Sequence, residues 1–209
     1  MSLKYLELKN SAENCNKLIL ILHGYGADAN DLFSLATYWN RFLPSAYFCI
    51  PNAPNICQVN QSGFEWFDLM QTDNTKIVEE TLNSLNKLED LINEKLDILN
   101  LDLKDLILVG FSQGTMMSIQ LAIRQKKEIS AVLGYSGKVF DYNLFEKEFI
   151  SKPKIKFLHG NKDEIVPVEE MYKSLEYLNK SFSTKTKFLN LINSACSSTS
   201  YSKYLSKML

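Results

Sequence analysis

Four short apolar runs restrict this chain more than any other feature: "KLILILH" (17–23), "AYFCIP" (46–51), "DLILVG" (105–110) and "IKFLHG" (155–160). Polar residues do not alternate with apolar ones inside them, and glycine or proline bounds most of them. Such runs suit strands that are covered on both faces, as in a parallel sheet. "EISAVLGYSG" (128–137) reads as a fifth strand, "TKTKFLNLI" (184–192) as a last one, and "KYLELKN" (4–10) as an edge strand. Helical periodicity fills the intervals. Val78, Leu82, Leu85, Leu88, Ile92, Leu96 and Leu99 advance by threes and fours from about 75 to 99, and Met171, Leu175 and Leu178 share a face after Pro167. Strand and helix alternating in this way predict an α/β fold, with a mainly parallel central sheet, right-handed crossovers and helices on both faces. Ligands of such sheets sit at the carboxyl ends of the strands, so chemistry is sought there. No Pro/Gly/Ser-rich linker or repeat divides the 209 residues, and a single domain over 1–209 is expected.

Composition narrows the function by exclusion. The formal net charge is −1, with acids and lysines interspersed, whereas a nucleic-acid or membrane-surface footprint needs a basic bias. Cys15, Cys49, Cys57 and Cys196 form no CxxC pair. The N-terminus has no basic stretch leading into an apolar core, and no apolar run approaches a membrane span, so a reduced cytoplasmic protein without stable membrane insertion is expected. Two histidines are too few for a structural or dinuclear histidine-rich metal site, so no metal is expected.

Three segments at strand ends carry chemistry. In "GFSQG" (110–114), Ser112 lies between glycines after an apolar strand and before the helical "TMMSIQLAIRQKK". This is the setting of a G-x-S-x-G nucleophile, whose hydroxyl the turn lifts clear of the sheet. A serine at that point also suits a helix N-cap. "HGYG" (23–26) ends the first apolar strand, and its backbone at Tyr25, together with the N–H of Gln113, can supply two oxyanion donors; it also reads as a plain strand-ending turn. In "HGNKDEIVP" (159–167), Asp163 follows the serine in the chain order of Ser…Asp…His hydrolases, although an acid there is equally at home as a turn or cap residue. Glu164 is the weaker candidate acid.

Taken together, "LHGYGAD" (22–28), "FEWFDL" (64–69), "GFSQG" and "HGNKDEIVP" resemble the phospholipase/carboxylesterase family of α/β-hydrolases, the branch that includes acyl-protein thioesterases. The resemblance implies an α/β-hydrolase fold without a cap domain. It also implies a cofactor-free serine esterase acting on short to medium acyl esters or thioesters, of small molecules or of acylated proteins, as a monomer or homodimer. Ser112 is then nucleophile, Asp163 the acid, and the N–H groups of Tyr25 and Gln113 the oxyanion donors. Phe64, Trp66 and Phe67 belong to the loop that helps form the acyl groove, or else to an aromatic core cluster beneath it. A dienelactone-hydrolase-like enzyme would call for cysteine in place of Ser112.

The resemblance breaks near residue 190. The family's base is a histidine in a Gly-His-Ser-like turn after the last strand, and Asn193, Ser194, Ala195 and Cys196 stand there instead. His159 resembles the family's structural histidine, His23 reads as a hydrogen-bonded scaffold residue, and Cys196 cannot reproduce an imidazole's two-nitrogen relay. An impaired esterase, or a non-catalytic acyl- or partner-binding protein on the same fold, is therefore expected. From 191 onward the tail is serine-rich and contains no acidic residue. We hypothesise that a shifted reading frame produced it. One neighbouring frame of the gene should then encode a glycine-histidine turn and an amphipathic helix; if neither does, the tail diverged by ordinary substitution.

Overall fold

The computed structural model describes residues 2–9, 15–140, 151–182 and 187–192, the last six by backbone alone. One seven-stranded sheet runs through them in the order β1-β3-β2-β6-β7-β8-β9. The strands are β1 (Tyr5–Lys9), β2 (Lys17–Leu22), β3 (Ala46–Pro51), β6 (Leu106–Phe111), β7 (Ala131–Tyr135), β8 (Ile155–Gly160) and β9 (Lys187–Ile192). Only β1 is antiparallel, against β3; every other pairing is parallel, as the continuous apolar runs predict. The helices are α1 (Ala29–Asn40), α2 (Asn74–Leu99), α3 (Gln113–Arg124) and α4 (Val168–Phe182). A two-stranded hairpin, β4 (Asn55–Ile56) and β5 (Phe64–Glu65), stands apart from the sheet.

Burial explains why the strands lack polar alternation. Along β2, Leu18, Leu20 and Leu22 pack into one cluster with Leu85 and Leu88 of α2, Met117 of α3 and Met171 of α4. Ile19 and Ile21 pack on the opposite face with Leu35, Ala36 and Trp39 of α1. All five β2 residues are wholly buried, because helices cover both sides of the sheet.

Local signals set the helix ends. Asp28 caps α1: its carboxylate accepts from the backbone N–H of Asn30 at 2.8 Å and Asp31 at 3.2 Å, and Asp31 reaches back to the Asp28 N–H. Asp73 caps α2 through the Thr75 N–H at 2.9 Å, and Asn100 ends that helix at φ 54°. The predicted stripe along α2 lies on the core, with Leu85, Leu88, Ile92 and Leu96 buried. No helix among the described residues is long and apolar enough to cross a membrane. The expected last strand over 184–192 is described from Lys187, and the tail of residues 193–209 lies outside the described residues.

Candidate active site

Parallel pairing brings the ends of β2, β6, β7 and β8 to one edge: Leu22 pairs with Gly110, Phe111 with Tyr135, and Tyr135 with Leu158. The next residue on each strand therefore opens onto the same rim. Ser112 sits between β6 and α3 at φ 50° and ψ −111°, with its N–H donating to the Tyr135 carbonyl at 2.8 Å. A non-glycine residue there costs about 1–3 kcal/mol, which the surroundings must hold in place. Although Ser112 occupies the N-cap position, its side chain makes no capping bond, so the hydroxyl is not spent on the helix. The partial positive charge of the α3 N-terminus lies directly beneath it.

Packing of α3 against the sheet enforces this turn. A Cβ on Gly114 would stand 2.2 Å from the Leu22 carbonyl oxygen and 2.7 Å from that of His23, and one on Gly110 would meet the Gly114 carbonyl at 2.3 Å. Only glycine allows helix and strands so close. On the other side, a Cβ on Gly24 would be 3.4 Å from the Ser112 Cβ, so the "HGYG" loop abuts the serine. The N–H groups of Gly26 and Ala27 donate to Phe64 O at 2.9 Å and Gly24 O at 3.2 Å, whereas those of Tyr25 and Gln113 find no acceptor among the described residues.

The Gln113 side chain has a role that the sequence does not announce. Wholly buried, it accepts from the Trp66 N–H at 3.0 Å and donates to the Phe67 carbonyl at 2.7 Å. Trp66 Nε1 donates to the His23 carbonyl at 3.0 Å, and Ser84 Oγ to the Trp66 carbonyl at 2.5 Å. Trp66 and Phe67 are thus buried within the aromatic layer, with Phe67 against Phe140 at 4.4 Å between ring centres, while Phe64 is half-buried. Ser136, at φ 45°, is a second strained residue on this rim, between the strands of Ser112 and Asp163; no sequence signal marks it.

Asp163 follows β8 by three residues and is nearly buried. One carboxylate oxygen accepts from the N–H groups of Ile165 at 3.1 Å and Val166 at 3.0 Å; the other lies 3.6 Å from His159 Nε2. The acid therefore does serve its own turn, and it keeps one oxygen turned away from that turn.

Neither histidine is placed as a free base. His23 is wholly buried: its Nε2 accepts from the Ala53 N–H at 3.0 Å, which leaves Nδ1 to donate to the Gly24 carbonyl at 2.8 Å. Burial lowers its pKa from 6.5, against the opposing pull of the Gly24 carbonyl, Asp28 and Asp31. His159 is also wholly buried, with Nε2 on the Val166 carbonyl at 2.6 Å. Ile192, the last described residue, pairs with Gly160, three residues before Asp163.

A strained serine raised at a strand–helix turn, with an acid two strands further along the same rim, defines a hydrolase of the α/β class. Residues 3–205 match the Phospholipase/Carboxylesterase family, and the chain belongs to it. The matched span continues past 190, where the recognisable motifs end. The chain is 28% identical over 124 residues to acyl-protein thioesterase 1 of Schizosaccharomyces pombe, covering 57% of this chain and about half (54%) of that relative. To acyl-protein thioesterase 1 of Candida albicans it is 24% identical over 206 residues, covering 88% and 89%. The crystal structure of esterase PE8 superposes with a TM-score of 0.88 at 28% identity over 100% of both chains. The family and these relatives are ester and thioester hydrolases.

The His23 geometry predicts a pH dependence of stability. The folded chain keeps this imidazole neutral where the unfolded chain protonates it, so below pH 6.5 the unfolded state binds more protons and stability falls as pH falls. One such group contributes at most about 1.4 kcal/mol per pH unit. Between pH 7 and pH 5 the melting temperature of the chain should drop more than that of His23→Gln; parallel curves for the two would contradict this assignment.

Proposed function

We propose that the chain is a serine carboxylesterase/thioesterase-type hydrolase of short to medium acyl esters, working through an acyl-enzyme on Ser112 and slowed by the lack of a general base. One observation carries the reading: Ser112 is strained, uncapped and flanked by two unclaimed N–H groups, while both histidines are wholly buried, His23 with both ring nitrogens on backbone groups and His159 with Nε2 on the Val166 carbonyl. In the proposed step, Ser112 Oγ bonds to the acyl carbon and the carbonyl oxygen takes the negative charge between the N–H groups of Tyr25 and Gln113. Collapse expels the alcohol or thiol, with the serine proton passing to solvent instead of to an imidazole. Water then attacks the acyl-enzyme and releases the acid. Asp163 is the acid that would orient a histidine, and it has none to orient. Phe64 contributes to the acyl groove, above the layer of Trp66 and Phe67. The thioesterase relatives support a thiol leaving group, including that of an acylated protein, alongside simple alcohols.

Magnitudes separate this from the reading as a pure binding protein. Loss of the triad histidine in a serine protease costs roughly 10⁶ in kcat, and oxyanion hole plus binding still leave about 10³–10⁴ over water. Hydrolysis of p-nitrophenyl butyrate should therefore exceed that of Ser112→Ala, yet fall about five or six powers of ten below an ordinary esterase. Full esterase rates would mean that a base exists, with His159 the first residue to mutate. Rates equal to those of the alanine variant would leave the acyl-binding reading.

A further inference from the structure

The oxyanion turn does not hold itself. Gly24 to Ala27 form a four-residue turn closed by the Ala27 N–H on the Gly24 carbonyl at 3.2 Å, with Gly26 at φ 74° in the position that a type II turn reserves for glycine. Apart from His23 Nδ1 on the Gly24 carbonyl, the further backbone bonds of this turn go to one element, the β4–β5 hairpin. Gly26 N–H donates to Phe64 O at 2.9 Å, Phe64 N–H donates to Ala27 O at 2.9 Å, and Asn60 Nδ2 donates to Gly26 O at 2.7 Å. A Cβ on Gly63 would lie 2.1 Å from the Gly26 carbonyl oxygen, so the hairpin backbone presses on that same carbonyl.

We infer that Asn60 is a positioning residue for the oxyanion hole, fixing the Tyr25 N–H by holding the Gly26 carbonyl from outside the turn. The inference rests on the reading of Ser112 and Tyr25 given above. Its physical basis is a relay of two peptide planes: the Gly26 carbonyl that Asn60 holds shares its peptide with the Ala27 N–H, which donates to the Gly24 carbonyl of the peptide that carries the Tyr25 N–H, so a rotation of the Gly26–Ala27 peptide would leave the Gly24–Tyr25 peptide held by His23 Nδ1 alone. Asn60 is the only side chain among the described residues that hydrogen-bonds the turn's Gly26 peptide. Its own Oδ1 accepts from the Ser62 N–H at 3.2 Å, which orients the amide so that its NH₂ faces Gly26. Asn60 is exposed and reaches no reacting atom, so it acts only through the turn.

The test is covalent trapping of Ser112 by an alkyl fluorophosphonate, read by intact mass. Ser112 Oγ bonds to phosphorus, fluoride leaves and the proton goes to buffer, while the phosphoryl oxygen gathers charge where an oxyanion sits. Removing one oxyanion donor outright costs about 10²–10³ in rate, and loosening it should cost part of that. In Asn60→Ala and Asn60→Asp the maximal labelling rate should fall about tenfold, with the half-saturating probe concentration and the melting temperature unchanged. Asn60→Asp should be at least as slow as Asn60→Ala, because its carboxylate faces the Gly26 carbonyl. Val59→Ala, an exposed neighbour, should label like the unaltered chain. Unchanged labelling in both Asn60 variants would overturn the inference, as would a loss matched by an equal fall in melting temperature. If the unaltered chain labels no faster than Ser112→Ala, the reading of the nucleophile itself fails and this inference falls with it.

Discussion

The site depends on one close approach: the first turn of α3 lying on the carbonyl ends of β2. Gly114 is pressed against the Leu22 and His23 carbonyls, and that contact leaves Ser112 no room to relax from its positive φ. From the same contact follow the uncapped hydroxyl, the orientation of the Gln113 N–H and the burial of the Gln113 side chain. That side chain in turn fastens the Trp66–Phe67 segment, and Trp66 fastens the His23 carbonyl. Strand end, helix start and aromatic layer therefore form one closed set of bonds. The strain at Ser112 is sustained because each of these elements is buried on the sheet.

The sheet was legible because its strands are buried on both faces, so that consecutive apolar residues had no other use. The long helix α2 was legible for a similar reason, since six of its seven predicted apolar positions, all but Val78, pack in the core or at its margin. Boundaries shifted by one to a few residues where glycine or a polar neighbour continues a strand by backbone pairing alone, as with Phe111 after Gly110. The β4–β5 hairpin was not legible. Its strands are two residues each, too short for periodicity, and what defines it is bonding to the "HGYG" turn far away in the chain. Asn60 was invisible for the same reason. Ser112, Tyr25, Gln113 and Asp163 were singled out through motif and order, yet the positive φ of Ser136 and the double anchorage by the Gln113 amide needed coordinates.

Two of the open alternatives at these positions now have physical content. Ser112 is an N-cap by position, but its hydroxyl caps nothing. Asp163 is a turn residue in fact, through Ile165 and Val166, without using up its second oxygen. Trp66 and Phe67 sit in the core layer, and Phe64 is the member of the trio left half-exposed to the rim. What the chain lacks is an exposed imidazole. It has two histidines: the backbone claims both ring nitrogens of His23, and His159 is wholly buried with Nε2 on the Val166 carbonyl and Nδ1 enclosed without a partner among the described residues.

If Ser112 is set up for acyl transfer except for its base, exogenous imidazole should supply what is missing. Hydrolysis of p-nitrophenyl butyrate is followed across an imidazole titration for the chain and for Ser112→Ala, and the difference isolates the serine-dependent rate from imidazole's own reaction with the ester. The difference should be small without imidazole and grow as imidazole is added. A large difference at zero imidazole that the titration leaves unchanged would contradict it, because a base would already be in place.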